Sequence, residues 1–266
     1  MLRFFSLASG SSGNCIFVGS DNCNLLVDAG ISSKRIVAGL AEHFIQPESV
    51  SAILITHEHS DHVNGLPVFL KKYPTSVYAT EGTIRAIKKS PAGAKIPPEL
   101  FHPIDLTERL TFGDIEVECC GTSHDAACPV AFSFLCEGCK VGMATDLGCI
   151  TPGIVKHLSD ARILYLESNY DRYMLLAGSY PYSLKQRIMG DRGHLSNEDS
   201  ARLLLHVMNE KLRYIMLAHL SKENNMPDLA LLTIKNELDG AWNYDCPRPR
   251  LMVAPRDVPS ELIELP

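Results

Sequence analysis

The chain has 266 residues, of which 45% are hydrophobic and 21% charged, and its formal net charge at pH 7 is −6. This composition is that of an ordinary folded protein, and no apolar run approaches the ~20 residues that a membrane-spanning helix needs. The negative charge argues against a protein that coats nucleic acid non-specifically, because such binding depends on positive surface.

Short strands separated by glycine-rich turns are predicted in the first part of the chain. The first strand begins almost at once, because the apolar part of the opening residues is too short for a signal peptide. Apolar patterning predicts strands over 3–8, 14–19, 24–28 and 52–56. One helical face is formed by Ile36, Val37, Leu40 and Phe44. A further helix is predicted from Gly65, and the proline-rich stretch 92–103 is predicted to be a loop.

The second half repeats this alternation of strands and helices. Its predicted strands cover 115–120, 130–135, 140–145, 162–167 and 213–218. Ser196 to Asp199 has capping-box spacing and opens a helix, and a last helix begins near Pro227 and ends before Gly240. The two halves indicate a duplicated sheet-and-helix unit, packed as one four-layer α/β domain over residues 1–266.

The chain contains nine cysteines, an odd number, several of them within predicted strands. They indicate small buried side chains in a reducing cytoplasm rather than a disulfide framework. Cys136 and Cys139 have C-x-x-C spacing, but no second such pair completes a zinc knuckle. The intervening Glu-Gly favours a hairpin turn.

A dense group of potential metal ligands directly follows the strand 52–56. His57, His59, Asp61 and His62 lie within six residues, and imidazole and carboxylate suit Zn, Mn and Fe. Alternate residues of an extended segment point to the same side, so His57 and His59 can converge on one metal. Asp61 and His62 are better placed for a second metal. The helical zinc-protease pattern is excluded, because Asp61 stands four residues after His57. We therefore interpret the group as half of a dinuclear site rather than a solvated loop.

Three more ligand candidates lie where predicted strands end. They are His124, Asp146 and His219. Each alone is more typical of a satisfied polar residue at a strand end. Because strand-end loops meet at one edge in layered α/β folds, together with the first group they predict a complete metal site.

The order and spacing of these ligands resemble those of the metallo-β-lactamase fold superfamily over nearly the whole chain. Further stretches resemble its YycJ/WalJ-like branch of bacterial exonucleases, namely 7–14, 145–148, 167–169, 193–197 and 219–225. The branch commonly has His where this chain has Tyr170, so the resemblance assigns no role to that position.

The resemblance implies an αββα sandwich with a dinuclear metal site at the edge of its two sheets. One divalent metal would be held by His57, His59 and His124, and the other by Asp61, His62 and His219. Asp146 would bridge the two ions, which we expect to be Zn or Mn, with Fe also compatible. Asp28 would orient a ligand histidine through its free ring nitrogen, although a simple turn aspartate is the alternative.

The resemblance implies that a hydroxide shared by the two metals is the attacking group. Asp61 and His194 are the predicted catalytic residues. His194 lies in a glycine-flanked loop and would assist the departing oxygen, unless it is a loop histidine without a role. The backbone amides of the Ser9–Gly13 loop and of the helix N-terminus at Ser196 are predicted to bind substrate phosphate. A plain Gly/Ser turn is the alternative for the Ser9–Gly13 loop. The predicted substrate-binding residues are Ser9, Ser11, Ser12, Gly13, Ser196 and Asn197.

Three functions remain open at this point. The branch resemblance implies a phosphodiester hydrolase, a 5′-to-3′ DNA exonuclease whose partner is a DNA end. A small-molecule hydrolase, either a glyoxalase-II-like thioesterase or a cyclic-nucleotide phosphodiesterase, would use the same ligands. A non-catalytic protein stabilised by metal is disfavoured, because every expected ligand position is filled. The sequence indicates neither a membrane nor a protein partner.

Overall fold

The computed structural model describes residues 1–239 and 248–266, which form two β-sheets with helices on their outer faces. The strands are β1 (Leu2–Ala8), β2 (Cys15–Gly19), β3 (Asn24–Val27), β4 (Ala52–Leu54), β5 (Ser76–Thr80), β6 (Phe101–Ile104), β7 (Leu110–Phe112), β8 (Ile115–Gly121), β9 (Val130–Cys136), β10 (Cys139–Ala144), β11 (Ile163–Glu167), β12 (Tyr214–Ala218), β13 (Arg250–Val253) and β14 (Ile263–Leu265). The helices are α1 (Ser33–Glu42), α2 (Ser60–Val63), α3 (Leu66–Lys72), α4 (Glu81–Lys89), α5 (Pro152–Leu158), α6 (Arg172–Ala177), α7 (Tyr182–Met189), α8 (Asn197–Val207) and α9 (Pro227–Asp239).

Each sheet contains a run of parallel strands, and these runs position the candidate site. The first sheet has the order β14-β1-β2-β3-β4-β5-β6, and the second β13-β12-β11-β10-β9-β8-β7. Strands β3 to β6 are parallel to one another, as are β10 to β13. The carboxyl ends of parallel strands share one edge of a sheet, so the loops after β3, β4, β10 and β12 leave in a common direction.

Buried apolar side chains fill the spaces between four layers. One cluster lies between the two sheets and includes Phe4, Val27, Phe132 and Tyr165. A second packs the first sheet against its helices, and a third does the same for the second sheet. Burying a large apolar side chain of this kind contributes roughly 1.5–3 kcal/mol. The predicted α/β class and αββα arrangement are confirmed.

The hairpin predicted around Cys136 and Cys139 is also present. The two cysteines lie opposite each other on the adjacent strands β9 and β10, without a disulfide between them. The turn residues Glu137 and Gly138 have φ angles of 49° and 78°. Left-handed backbone at both turn positions is the geometry of a tight hairpin, for which glycine is well suited. The eight cysteines in the described part of the chain are unpaired.

Two local predictions were wrong. Residues 92–103 do not remain a loop throughout, because Phe101 to Ile104 pair with β5 as the outermost strand of the first sheet. An edge strand tolerates Pro103, which lacks an N–H to donate. Phe44 does not belong to the apolar face of α1, since it follows the helix end with a φ of 59° and is exposed.

The C-terminal helix α9 begins at Pro227, as its sequence predicts. Gly240, expected just past its end, lies outside the described residues. Among the helices within residues 1–239 and 248–266, none combines the length and apolar character that crossing a membrane requires.

Candidate metal centre

Three residues of the candidate centre adopt left-handed backbone conformation where strands end. Asp28, Asp146 and His219 follow β3, β10 and β12 and have φ angles of 60°, 61° and 54°. This conformation is unfavourable for residues other than glycine and concentrates at functional sites. Here it turns the chain sharply, so that polar side chains from both sheets reach one edge.

Three histidines form one group of potential ligands. Single ring nitrogens of His57, His59 and His124 all lie within 4.8 Å of one another. The rings of His57 and His59 are 4.6 Å apart, as expected for alternate residues of an extended segment. His124 Nδ1 donates to the carbonyl oxygen of Gly193 at 3.0 Å, which directs Nε2 toward the other two rings.

A second group lies beside the first. Asp61, His62 and His219 each offer a ligand atom within 4.8 Å of the others, and His219 Nε2 is 3.3 Å from Asp61 Oδ2. Asp146 joins the two groups, since it lies within the same limit of His57 and His62. The structure therefore brings together all seven residues that the sequence predicts as metal ligands.

The buried Asp28 carboxylate holds one of these histidines. It accepts a hydrogen bond from His62 Nδ1 at 2.7 Å and another from the backbone N–H of Thr56 at 2.8 Å. Because Nδ1 is the donor in this pair, Nε2 faces Asp61 and Asp146. This is the arrangement expected of a residue that orients a ligand.

Glu167 is a site residue that the sequence analysis missed. It is the last residue of β11 and is completely buried. Its Oε1 accepts from His194 Nδ1 at 2.8 Å and from His219 Nδ1 at 3.1 Å. Its Oε2 accepts from the backbone N–H groups of Leu147 and Leu195. The available signal was a carboxylate that ends an apolar strand, as at Asp146.

The electrostatics of the cluster favour bound positive charge. Burial alone would raise the pKa values of Asp61 and Asp146, but the surrounding histidines hold both well below the usual range. Burial opposes a charge on His219, yet Asp146 and Asp61 raise its pKa to about 10. Ionised carboxylates that stabilise positive charge in this way are suited to a cation.

Two buried atoms at the centre of the cluster lack a hydrogen-bond partner among the described residues. They are His57 Nε2 and Asp146 Oδ2. A buried polar atom without a partner is costly, and a metal ion would satisfy both. Imidazole and carboxylate are ligands for Zn, Mn and Fe, so the residues present fit a divalent metal.

The cluster lies at the base of a cavity of about 260 Å³. Predicted residues in its wall include His194 and Ser11. Tyr180 and Arg187 also line it. Arg187 Nε donates to Asp125 Oδ2 at 2.5 Å, while Asp125 Oδ1 is 3.4 Å from His124 Nε2.

The structure does not bring the other predicted substrate-binding side chains into this cavity. Ser9 is buried and bonded to Tyr165 and to the N–H of His219. Ser196 caps α8, and buried Asn197 bonds Ser168 and Asn225.

Several of the backbone amides predicted to cradle an anion are also engaged. The N–H groups of Gly13, Asn197 and Asp199 donate to Gly10, Tyr170 and Ser196 respectively. In the Ser9–Gly13 loop, Ser11 and Ser12 are the exposed residues. The N-terminus of α8 is thus already capped by the protein, and it begins with two acidic residues.

Comparisons with known proteins agree with this fold and site. Residues 23–219 match a family described as a beta-lactamase superfamily domain. The chain is 41% identical over 236 residues, 89% of its length and 88% of the relative's, to exodeoxyribonuclease WalJ of Streptococcus pneumoniae serotype 2. It is 42% identical over 238 residues, 90% of its length and 89% of the relative's, to exodeoxyribonuclease YycJ of Bacillus anthracis. Among solved structures, Zn²⁺-bound PqqB from Methylobacterium extorquens superimposes with a TM-score of 0.73 at 16% identity, covering 97% of this chain and 99% of that one.

Proposed function

The chain belongs to the metallo-β-lactamase superfamily, and from this we propose that it is a metal-dependent exonuclease that hydrolyses the phosphodiester bonds of DNA. The observation that carries the proposal is the convergence of seven imidazole and carboxylate side chains at the base of an open cavity. Relatives that share about two fifths of its residues over most of their length are named exodeoxyribonucleases.

We propose that the seven side chains hold two divalent metal ions. His57, His59 and His124 would hold one ion, Asp61, His62 and His219 the other, with Asp146 shared. Zn and Mn are the proposed metals, and Fe is compatible with the same ligands. When bound, two such ions lower the pKa of a water molecule and stabilise charge on phosphate oxygens.

The protein's own residues supply the remaining steps. His194 engages Glu167 through Nδ1, so its Nε2 is the ring nitrogen available to a substrate in the cavity. A histidine held in this way can donate a proton to the oxygen that leaves the scissile phosphate. Asp61, whose pKa is lowered by hydrogen bonds with His219 and His62, would act as a carboxylate ligand that keeps the second metal ion beside His219.

Two finer proposals rest on the sequence. Digestion from a 5′ end follows the branch resemblance. A location in the reducing cytoplasm is the second proposal, and the free thiols of the eight described cysteines support it.

The proposal is tested with purified protein, Mn²⁺ or Zn²⁺, and DNA labelled at either the 5′ or the 3′ end. We expect stepwise shortening of the DNA with at least one of the two kinds of metal. In Asp146→Ala this shortening should be lost completely, while the circular dichroism spectrum is retained. Unchanged DNA in the presence of bound metal would overturn the nuclease proposal and turn attention to thioesters and cyclic nucleotides. Full activity of Asp146→Ala would overturn the shared-ligand assignment.

A further inference from the structure

One wall of the cavity belongs to a surface segment whose large apolar side chains are exposed. The segment, residues 172–192, contains helices α6 and α7 and the turn after them. Leu175 is its only buried residue. Tyr173, Leu176 and Tyr182 expose 80%, 57% and 75% of their surface. A concentration of exposed large apolar groups marks an interaction surface.

This segment leads directly to the metal centre. Its residues Tyr180, Leu184, Arg187 and Ile188 line the same cavity as the candidate ligands. The bond from Arg187 Nε to Asp125 fixes α7 to the loop that carries His124. The Arg187 side chain nevertheless remains 57% exposed, so its terminal amino groups can meet another acceptor. A chain lying on α7 would therefore continue into the site.

The charge of the segment is opposite to that of the whole protein. Residues 172–192 carry four basic side chains and one acidic side chain, a net charge of +3 in a protein of net charge −6. The basic residues are Arg172, Lys185, Arg187 and Arg192. Arg172 and Arg187 pair with carboxylates outside the segment, Arg172 with Glu198 and Asp199 and Arg187 with Asp125, whereas Lys185 and Arg192 form no ion pair with any described residue. A local excess of positive charge on an acidic protein attracts a polyanion.

We propose that residues 172–192 form a platform for the single-stranded end of DNA. Tyr173 and Tyr182 would stack on bases of the strand, and Arg187 would contact a backbone phosphate near the metals. Exposed aromatic rings beside basic groups are how proteins hold single strands without regard to sequence. A blunt duplex does not offer free base faces, so the platform selects ends that are already unpaired. This inference rests on the proposed DNA exonuclease function.

The test compares kcat/KM of metal-loaded protein for a single-stranded oligonucleotide, a blunt duplex and the small diester bis(p-nitrophenyl) phosphate. The variants are Tyr173→Ala, Tyr182→Ala and the conservative Tyr182→Phe. Phe44→Ala is the matched control, because Phe44 is an aromatic residue that is 93% exposed. It comes before the start of β4, whereas the candidate ligand His57 comes after the end of that strand. Thermal unfolding verifies that each variant is folded.

We expect each alanine variant to lower the ratio of kcat/KM for the single strand to that for the small diester by about 5- to 100-fold, mainly through KM. The ratio for the blunt duplex should fall less, and Tyr182→Phe and Phe44→Ala should retain the wild-type ratio.

An unchanged ratio in both alanine variants, with wild-type protein that degrades DNA, would overturn the platform and leave the proposed function intact. An equal fall on both substrates would overturn stacking in favour of a structural role. Failure of the proposed function would be visible in wild-type protein alone, as hydrolysis of the diester without attack on DNA, and would remove the platform with it.

Discussion

His62 and Asp28 form a completely buried pair in which His62 Nδ1 donates to Asp28 Oδ2 across 2.7 Å. Asp28 directly follows β3, and His62 lies on α2, which comes after the adjacent parallel strand β4. Burial opposes a charge on His62, but Asp28 and Asp146 raise its pKa well above the usual value. Asp28 thus fixes which nitrogen of His62 faces the candidate metal centre, and it would increase the basicity of that nitrogen toward a metal ion.

Replacing Asp28 by asparagine should weaken metal binding without unfolding the protein. Asparagine tolerates the left-handed backbone at this position, where φ is 60°. Its amide N–H₂ would face His62 Nδ1 and favour the tautomer that carries the proton on Nε2. We expect metal affinity to fall roughly 10- to 100-fold, measured by competition with a chelator. Asp21→Asn, at an exposed position, is the control, and equal affinities would show that Asp28 is only a turn residue.

Glu167→Gln should have a similar effect through a different histidine. Both carboxylate oxygens of Glu167 accept hydrogen bonds, two from backbone amides and two from His194 and His219. A glutamine must place a donor against one of these pairs, so it cannot satisfy both. We expect loss of metal affinity of roughly 10- to 100-fold together with loss of turnover. Glu118→Gln on β8, beside Arg109, provides the comparison, and metal binding that matched this control would remove Glu167 from the site.

The sequence predicted which side chains converge at the candidate metal centre, because these residues have two local signals, residue type and position after an apolar strand. His124, Asp146 and His219 all carry both. Tyr180 and Arg187 carry neither, since their place in the cavity depends on how the segment 172–192 lies over the second sheet. Ser196 is a residue for which local spacing predicts the structure but not the function. Its spacing correctly predicted a helix cap, but the same hydrogen bonds that make the cap prevent its use for substrate.

Stability at low pH should depend on His157, a buried histidine on α5. Burial and nearby Lys140 lower its pKa to about 4. In the unfolded chain this histidine has an ordinary pKa of about 6.5 and binds a proton that it does not bind in the folded protein. Stability therefore falls as the pH falls from 6.5 toward 4. From pH 7.5 to 5 this group should cost about 2 kcal/mol.

In His157→Gln, the pH-dependent loss of unfolding free energy should be smaller by that amount, as measured by urea denaturation at both pH values. His206→Gln, which replaces an exposed histidine of α8, controls for the loss of an imidazole. An identical pH response in wild type and His157→Gln would show that His157 is not the residue responsible.

A variant at His194 distinguishes a role in proton transfer from a role as a metal ligand. It lies within ligand distance of Asp146, Glu167 and His219, so geometry permits either role. If it protonates the departing oxygen, His194→Ala should lower kcat on DNA by about 10²- to 10⁴-fold with metal content unchanged. The same variant should lose far less activity on bis(p-nitrophenyl) phosphate, because p-nitrophenolate departs without a proton. Asp146→Ala, by contrast, should lose both activities. A drop in the metal-to-protein ratio of His194→Ala would instead make His194 a ligand, and equal losses on the two substrates would exclude it as the acid.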